Sequence, residues 1–375
     1  MSDTNQGLEL RSTITEAGTL VLNLEDVTID APAADEVVVR VEATPINPSD
    51  LGLLLGPADL STMQSGGSAD RPELTMDLHK GTMNMVKGRV GESMAVGNEG
   101  AGTVIAAGSD VSDMMGKTVG MLGGAMYTTV RKLKARDCII LPDGASVADG
   151  ASMFVNPLTS LGFTEQMKMD GFKALVHTAA ASNLGQMLNK ICIKDGIPLV
   201  NIVRSDAQVK LLKDIGATYV IDSSKDDFME KLTDAIAETE AFLGFDAVGG
   251  GKLAGKILHA MEAAAQRNMT EYSRYGSSQF KQVYIYGALD TGPIDLGRGP
   301  GLTWSVSGWL LTNFLGKAGM EKALEMRARV KDELKTTFAS SYTETISLTD
   351  VLKPDVVKAY QNKSTGEKYL IDPTK

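Results

Sequence analysis

Residues 174–185 read ALVHTAAASNLG, and this run decides the fold. Ala174 to Thr178 is a short apolar strand. A turn of small residues follows at once, and from Leu184 to Lys194 the apolar positions recur at helical spacing. A strand running through a tight turn straight into a helix is half of a βαβ unit, and the same grammar continues downstream. Pro198 to Val203 is the next strand. Asp206 to Ile215 is a helix, closed by Gly216 where a C-cap glycine belongs. Tyr219 to Ile221, Phe245 to Val248 and Val283 to Tyr286 are further strands, with helices over Lys225 to Thr239 and Lys252 to Ala265 between them. The fold class is therefore α/β, a doubly wound parallel sheet covered by helices on both faces.

Upstream, the pattern changes. Residues 8–45 alternate apolar and polar, and Glu36 to Glu42 reads EVVVRVE, a β-branched strand with outward charges. Gly102 to Ala107, Lys117 to Leu122 and Cys138 to Leu141 continue as short strands, so this stretch is an irregular β-rich region. The tail from Thr345 to Pro373 returns to short strands around a helix at Asp355 to Gln361 and is expected to rejoin that region. Gly56 to Met94, rich in Gly, Ser and Met, has the weakest pattern and reads as a lid or a mobile insert. Its methionines either line an adaptable apolar pocket or pack against the domain surface.

A chain of 375 residues is about right for two domains. The formal net charge of -10 argues against a nucleic-acid surface, which needs clustered Lys and Arg. Met1 to Gly7 lacks the basic-then-apolar pattern of a signal peptide. No apolar run reaches the roughly 18 residues of a membrane span; the best candidate, Gly301 to Leu315, is interrupted by Ser305, Ser307, Thr312 and Asn313. The two cysteines, Cys138 and Cys192, sit in apolar stretches and suit a reducing, cytoplasmic setting.

In a doubly wound sheet the turn after the first strand is where a pyrophosphate meets a helix N-terminus. Here that turn is Ala179-Ala180-Ala181-Ser182-Asn183-Leu184-Gly185. Gly185 stands where a third glycine lets helix and strand approach, while Ala179 and Ser182 replace the other two. A generic tight βα turn would read the same way. The end of the second strand carries Val203-Arg204-Ser205 and no carboxylate for a ribose 2′-OH. A guanidinium there can grip a 2′-phosphate, which favours NADP(H), although a solvated Arg at a strand end is the plainer alternative. Val248-Gly249-Gly250 and Tyr286-Gly287-Ala288 end later strands, at the sheet edge where ligands lie; individually they are ordinary strand-ending turns.

Several motifs, in order along the chain, resemble those of the zinc-free medium-chain dehydrogenases/reductases, near their NADPH:quinone oxidoreductase-like branch. Asn47-Pro48-Ser49-Asp50 resembles the NP-x-D signature, and Gly97-Asn98-Glu99-Gly100-Ala101-Gly102 the GxEGAG segment. Asn156-Pro157-Leu158-Thr159-Ser160 resembles the helix before the nucleotide domain, and Phe245 to Gly250 the FD-x-VGG segment. Gly308 to Asn313 resembles a segment near the nicotinamide end. Ser364-Thr365-Gly366 with Tyr369-Leu370-Ile371 resembles the closing strand. The resemblance implies a GroES-like domain formed by residues 1–157 with 316–375, insert at about 56–94, and a Rossmann NADP(H)-binding domain at 158–315. It also implies an active cleft between them and a homodimer. The cofactor set becomes Thr159, Ala180, Ala181, Ser182, Asn183, Leu184, Arg204, Ser205, Val248, Gly249, Gly250, Tyr286, Gly287 and Ala288.

No metal is expected. Zinc alcohol dehydrogenases carry Cys and His where this chain has Asn47 and Asn98, and neutral amides are poor zinc ligands. The structural zinc lobe needs four cysteines, and the chain has two. The implied reaction is NADPH-dependent hydride transfer to a quinone or an activated enal or enone. Thr159 is expected beside the nicotinamide, and Asn47 either donates a hydrogen bond to a substrate carbonyl or serves as a turn former. A 2-enoyl thioester reductase is the alternative within the enzymes. Its Tyr after NP-x-D has no counterpart between Leu51 and Leu60, and no Tyr precedes Tyr127. A non-catalytic NADPH-binding sensor is the alternative outside them. His79 and Lys80 read as solvated, His177 as a core residue, and no general acid is assigned.

Overall fold

The computed structural model describes residues 5–362 and 368–375. Ser364-Thr365-Gly366, read above as part of the closing motif, lies outside the described residues. The chain divides into two compact units, residues 1–155 with 329–375 and residues 156–328.

The first unit opens on β1 (Asn5–Ile14), β2 (Thr19–Ile29) and β3 (Glu36–Pro45), followed by the one-turn helix α1 (Leu51–Leu54). Next come β4 (Gln64–Gly67), β5 (Pro72–Asp77), the short helix α2 (Met83–Val86) and β6 (Met94–Ala95). β7 (Glu99–Ala107), β8 (Thr118–Leu122), β9 (Val130–Lys134), β10 (Cys138–Ile140) and α3 (Val147–Gly150) complete this stretch. β1 and β2 form a long antiparallel pair, and Leu20, Leu22 and Leu24 alternate into the core because successive strand side chains point to opposite faces.

The 56–94 stretch corrects the expectation of a lid or mobile insert. β5 pairs antiparallel with β2, from Thr19↔Asp77 to Asn23↔Glu73, and β4 pairs with β5, so the sheet runs β4-β5-β2-β1-β6. Leu74 and Met76 are 0% and 1% exposed and join a core that includes Leu20, Leu22 and Leu54. The other methionines divide: Met63 and Met83 pack on that core, while Met85 is exposed. The strand signal escaped because it spans only six residues and opens on a proline, between Asp70-Arg71 and Leu78-His79. Only pairing with β2 makes its alternation meaningful.

The second unit is a parallel sheet with interleaved helices. It begins with α4 (Val155–Met169), β11 (Leu175–His177), α5 (Asn183–Asp195), β12 (Leu199–Val203), α6 (Asp206–Ile215) and β13 (Tyr219–Asp222). It continues with α7 (Phe228–Thr239), β14 (Leu243–Asp246), the short β15 (Gly249–Gly251), α8 (Leu253–Gln266) and β16 (Lys281–Ile285). β17 (Asp290–Ile294), β18 (Trp304–Gly308) and α9 (Leu311–Asp332) close it. The main sheet runs β13-β12-β11-β14-β16-β18, all pairs parallel, and β15 and β17 form a separate ribbon. β14 lies beside β11, so the strand order reverses direction there; in such sheets the crevice at the carboxyl ends near this point takes ligands. Gly216 ends α6 at φ 106, in the left-handed region a C-cap requires.

The tail carries β19 (Glu344–Ser347), α10 (Pro354–Gln361) and β20 (Tyr369–Asp372). β20 pairs antiparallel with β3 and parallel with β19, so the tail rejoins the first unit in the order β10-β8-β7-β3-β20-β19, with β9 also on β3. A Met76→Ala substitution is expected to cost about 2–5 kcal/mol, the usual range for truncating a core methionine. A denaturant titration followed by circular dichroism checks it; an unshifted midpoint would mean the insert is not core.

Candidate functional site

The turn after β11 begins with Ala179 at φ 49, a left-handed conformation that non-glycine residues seldom adopt. Ser182 caps α5, its Oγ accepting the Gly185 N–H at 3.1 Å. At Gly185 a Cβ would stand 2.1 Å from the Ala180 carbonyl oxygen, so only glycine lets α5 approach the strand end this closely. Asn156 at the start of α4 donates from Nδ2 to Asn183 Oδ1 at 2.9 Å, tying that helix to the turn. Ala180 and Ala181 are buried and Leu184 nearly so, leaving these positions their backbone to offer a ligand. Thr159 lies on α4 at 7% exposure.

The neighbouring strand ends are held by one carboxylate. Thr178 Oγ1 donates to Asp246 Oδ1 at 2.6 Å and accepts the Ala247 N–H at 2.8 Å. The two oxygens of Asp246 also accept the N–H groups of Val248 and Gly249. The turn so formed meets the end of β16: a Cβ on Gly249, which sits at φ 80, would be 2.5 Å from the Gly287 carbonyl oxygen, and one on Gly287 2.5 Å from that of Ala247. Gly250 lies against Asp290 in the ribbon.

At the end of β12, Arg204 is exposed and its guanidinium has no ion pair among the described residues. Ser205 caps α6 through its Oγ. The closest carboxylate in register is Asp222, opposite Val203 on β13. It is turned onto the N–H and hydroxyl of Ser224, with Lys225 Nζ 3.9 Å away. Those hydrogen bonds hold its pKa below the ordinary value.

Beyond β16 and β18 an open cleft of about 540 Å³ is lined by Tyr286, Gly287, Ala288, Gly308, Trp309 and Asn313, among others. Beneath it, Phe163 of α4 stacks on Phe245 and meets Tyr286 and Trp309 edge-on. The segment Gly308 to Asn313 thus lies beside the Tyr286 strand end.

In the first unit the NP-x-D and GxEGAG segments converge on a buried polar cluster. Asp50 accepts the backbone N–H groups of Asn47 and Asn98 at 2.8 and 2.9 Å. Glu99, 0% exposed, accepts Asn47 Nδ2 on one oxygen and the N–H groups of Phe154 and Val155 on the other. Asn47 itself is 2% exposed, its amide donating into Glu99 and its Oδ1 buried without a hydrogen-bond partner. Lys368 Nζ donates to Ser152 Oγ at 2.7 Å, and Ser152 shares a hydrogen bond with Tyr342. Burial pushes Asp50 up to about 7, with the Glu99 charge adding to the effect and the two N–H groups opposing it. Burial likewise raises Glu99 against the pull of Lys368, and brings Lys368 down to about 8. In the sequence Asp50 and Glu99 stand only as members of the NP-x-D and GxEGAG segments, and nothing there singles out Ser152 or Lys368. The only available signal was that acids stood inside apolar motifs. Among the described residues no group of three His, Cys, Asp or Glu side chains could hold a metal ion.

No family model matches the chain. It is 29% identical over 209 residues to the mitochondrial enoyl-[acyl-carrier-protein] reductase of Xenopus tropicalis, covering 54% of this chain and 52% of that protein. The Caenorhabditis elegans protein of the same name is 32% identical over 212 residues, 53% of each. A quinone oxidoreductase of Pseudomonas aeruginosa is 26% identical over 160 residues, 41% of this chain and 49% of that one. The chain thus spans about half the length of the curated relatives that it matches. Solved structures match over the full length. A provisionally assigned NADPH:quinone reductase from Mesorhizobium loti superposes at TM-score 0.71, with 24% identity and 100% coverage of both chains. Escherichia coli quinone oxidoreductase complexed with NADPH gives 0.68 at 18% identity, covering 98% and 100%. The complex of Etr1p with NADP and crotonyl-CoA gives 0.66 at 19%, also covering 98% and 100%.

The buried acids make stability depend on pH with a definite sign. A carboxyl raised from 3.8 to about 7 favours the folded state while protonated, and that contribution is lost as pH climbs across the same window. Melting temperature is therefore expected to fall between pH 5 and 7.5. An Asp50→Asn variant, less stable at pH 5 because an amide cannot accept both N–H groups, should show a flatter profile. A wild-type profile that rises over this range would contradict the assignment.

Proposed function

We propose that this chain, which has the two-domain fold of the medium-chain dehydrogenase/reductase superfamily, is an NADPH-dependent oxidoreductase that works without zinc. The observation that carries the reading is the set of features at the carboxyl ends of β11, β12, β14 and β16. A helix-opening turn with no room for a Cβ at Gly185, an exposed Arg204 and the interlocked Gly249 and Gly287 all meet there. The residues fit the cofactor. The start of α5 suits a pyrophosphate, since the first N–H groups of a helix lack intrahelical acceptors and carry partial positive charge. Arg204 and Ser205 suit a 2′-phosphate, with Asp222 turned away onto Ser224. The cleft beside Tyr286, Gly287, Ala288 and Trp309 suits the nicotinamide.

When bound, NADPH supplies the hydride; the protein's part is to orient and to exclude water. Val248 and Gly250, just beyond the end of β14, belong to the proposed cofactor contacts on the same grounds, and Thr159 on the strength of the Asn156-Pro157-Leu158-Thr159-Ser160 resemblance. The substrate class we favour is a quinone or an activated alkene or carbonyl. A quinone can take its proton from water, and α1 offers no tyrosine while the Asn47 amide is committed to Glu99. The 2-enoyl thioester reading has specific support in the names of the curated relatives, which bind or reduce enoyl groups on an acyl carrier protein. A homodimer and a cytoplasmic location form part of the same proposal.

Titration with NADPH and NADH, followed by nucleotide fluorescence, tests the cofactor. NADPH is expected to bind tighter, and Arg204→Ala to weaken NADPH by about tenfold or more while leaving NADH unchanged, as loss of a charge-assisted contact to phosphate predicts. Equal loss for both nucleotides would remove Arg204 from the 2′-phosphate. A quinone panel and a crotonyl thioester then divide the substrate readings, and binding without turnover of either would favour a sensor.

A further inference from the structure

The sheet holds a buried histidine for which the proposed chemistry has no use. His177 sits in β11, 0% exposed, in the middle of the sheet. Its Nε2 shares a 2.8 Å hydrogen bond with the Tyr286 hydroxyl, 109 residues away, and the two rings lie nearly parallel, 5.8 Å apart at 16°. Its Nδ1 is buried with no hydrogen-bond partner among the described residues. Burial lowers its pKa to about 3, so the imidazole is neutral at any working pH. A buried polar ring with one nitrogen unsatisfied costs stability that an apolar residue would not, so the one bond it makes needs a reason.

That bond ends on the cleft wall. Tyr286 is half-buried and lines the cleft together with Gly287, Ala288 and Trp309. Its ring is boxed on the inner side by Phe163, edge-on at 4.7 Å, and by His177. The residue after it, Gly287, passes so close to the Ala247 carbonyl oxygen that a Cβ there would stand 2.5 Å from it. The hydroxyl is therefore the only free end of the side chain, and His177 holds it inward. Without that anchor a phenol at the rim of an open cleft would turn its polar end to water and take the ring with it.

We propose that His177 is a positioning residue: by anchoring the Tyr286 hydroxyl it holds the Tyr286 ring as a fixed wall of the cleft, against which the planar nicotinamide ring of the dinucleotide packs. Offset stacking of flat rings is favourable only when one of them is already oriented, so the anchor lowers the ordering cost of binding. The inference rests on the NADPH reading above and goes beyond it in assigning a role to a core residue that contacts no ligand.

The test separates the two ends of the cofactor. The probes are NADPH and 2′,5′-ADP, which lacks the nicotinamide, titrated calorimetrically against wild type, Tyr286→Phe, His177→Phe and the double variant. Release of the Tyr286 hydroxyl predicts about a five- to tenfold weaker NADPH in His177→Phe, with 2′,5′-ADP unchanged and the fluorescence gain of bound NADPH reduced. Tyr286→Phe, whose ring has no polar end to turn to water, should stay near wild type, and the double variant should recover most of the loss seen in His177→Phe. If His177→Phe fails to fold, His177→Leu takes its place with the same expectation. Unchanged NADPH affinity in the His177 variant, equal loss for both probes, or no recovery in the double variant overturns the inference. Failure of wild type to bind either probe would instead sink the NADPH reading itself.

Discussion

The second unit depends on how closely its backbone segments approach one another at the carboxyl ends of the strands. Asp246 is the centre of this arrangement. It binds the hydroxyl of Thr178, the residue after β11, and two N–H groups of its own turn, so the ends of two adjacent strands share one buried carboxylate. A carboxylate in that position is tolerated because its lone pairs are met by donors; removing them would leave a buried charge uncompensated. With the turn so fixed, Gly249 and Gly287 come within the distance that excludes any side chain, and Gly185 does the same at the start of α5. Close backbone approach is thus shared by two of the features proposed as a dinucleotide site, the turn after β14 and the start of α5.

The first unit solves a different problem. Asp50, Glu99 and Lys368 are all buried in it, and their pKa values move toward one another, the acids up and the lysine down. Desolvation is the leading cause in each case. The acids are retained because they bind backbone: Asp50 organises Asn47 and Asn98, and Glu99 takes the N–H groups of Phe154 and Val155 at the start of α4. The side chain at 47 becomes part of this scaffold, which explains why an amide that could face a substrate is instead 2% exposed.

The nucleotide turn, the helix caps at Ser182, Ser205 and Gly216, and the alternation of strands and helices were legible because each rests on residues close in sequence. Hydrophobic periodicity and capping are local rules, and they need no knowledge of neighbours. The 56–94 stretch was misread for the complementary reason. Its strand β5 has only the alternation of Leu74 and Met76 to announce it, and the partner that gives this meaning, β2, lies some fifty residues earlier. Glu99 and Asp50 were visible as residues but not as neighbours.

What the sequence determined by itself was the architecture and the chemical type of the strand ends: small residues where a backbone must pass, and a cation in place of an acid at Arg204. What only the tertiary structure decided was which polar groups meet. His177 and Tyr286 are 109 positions apart, Asn47 and Glu99 52 apart, Lys368 and Ser152 216 apart. Such pairs form because a low-dielectric interior penalises a buried polar group left without a partner, and the fold, not the spacing along the chain, determines which one is within reach.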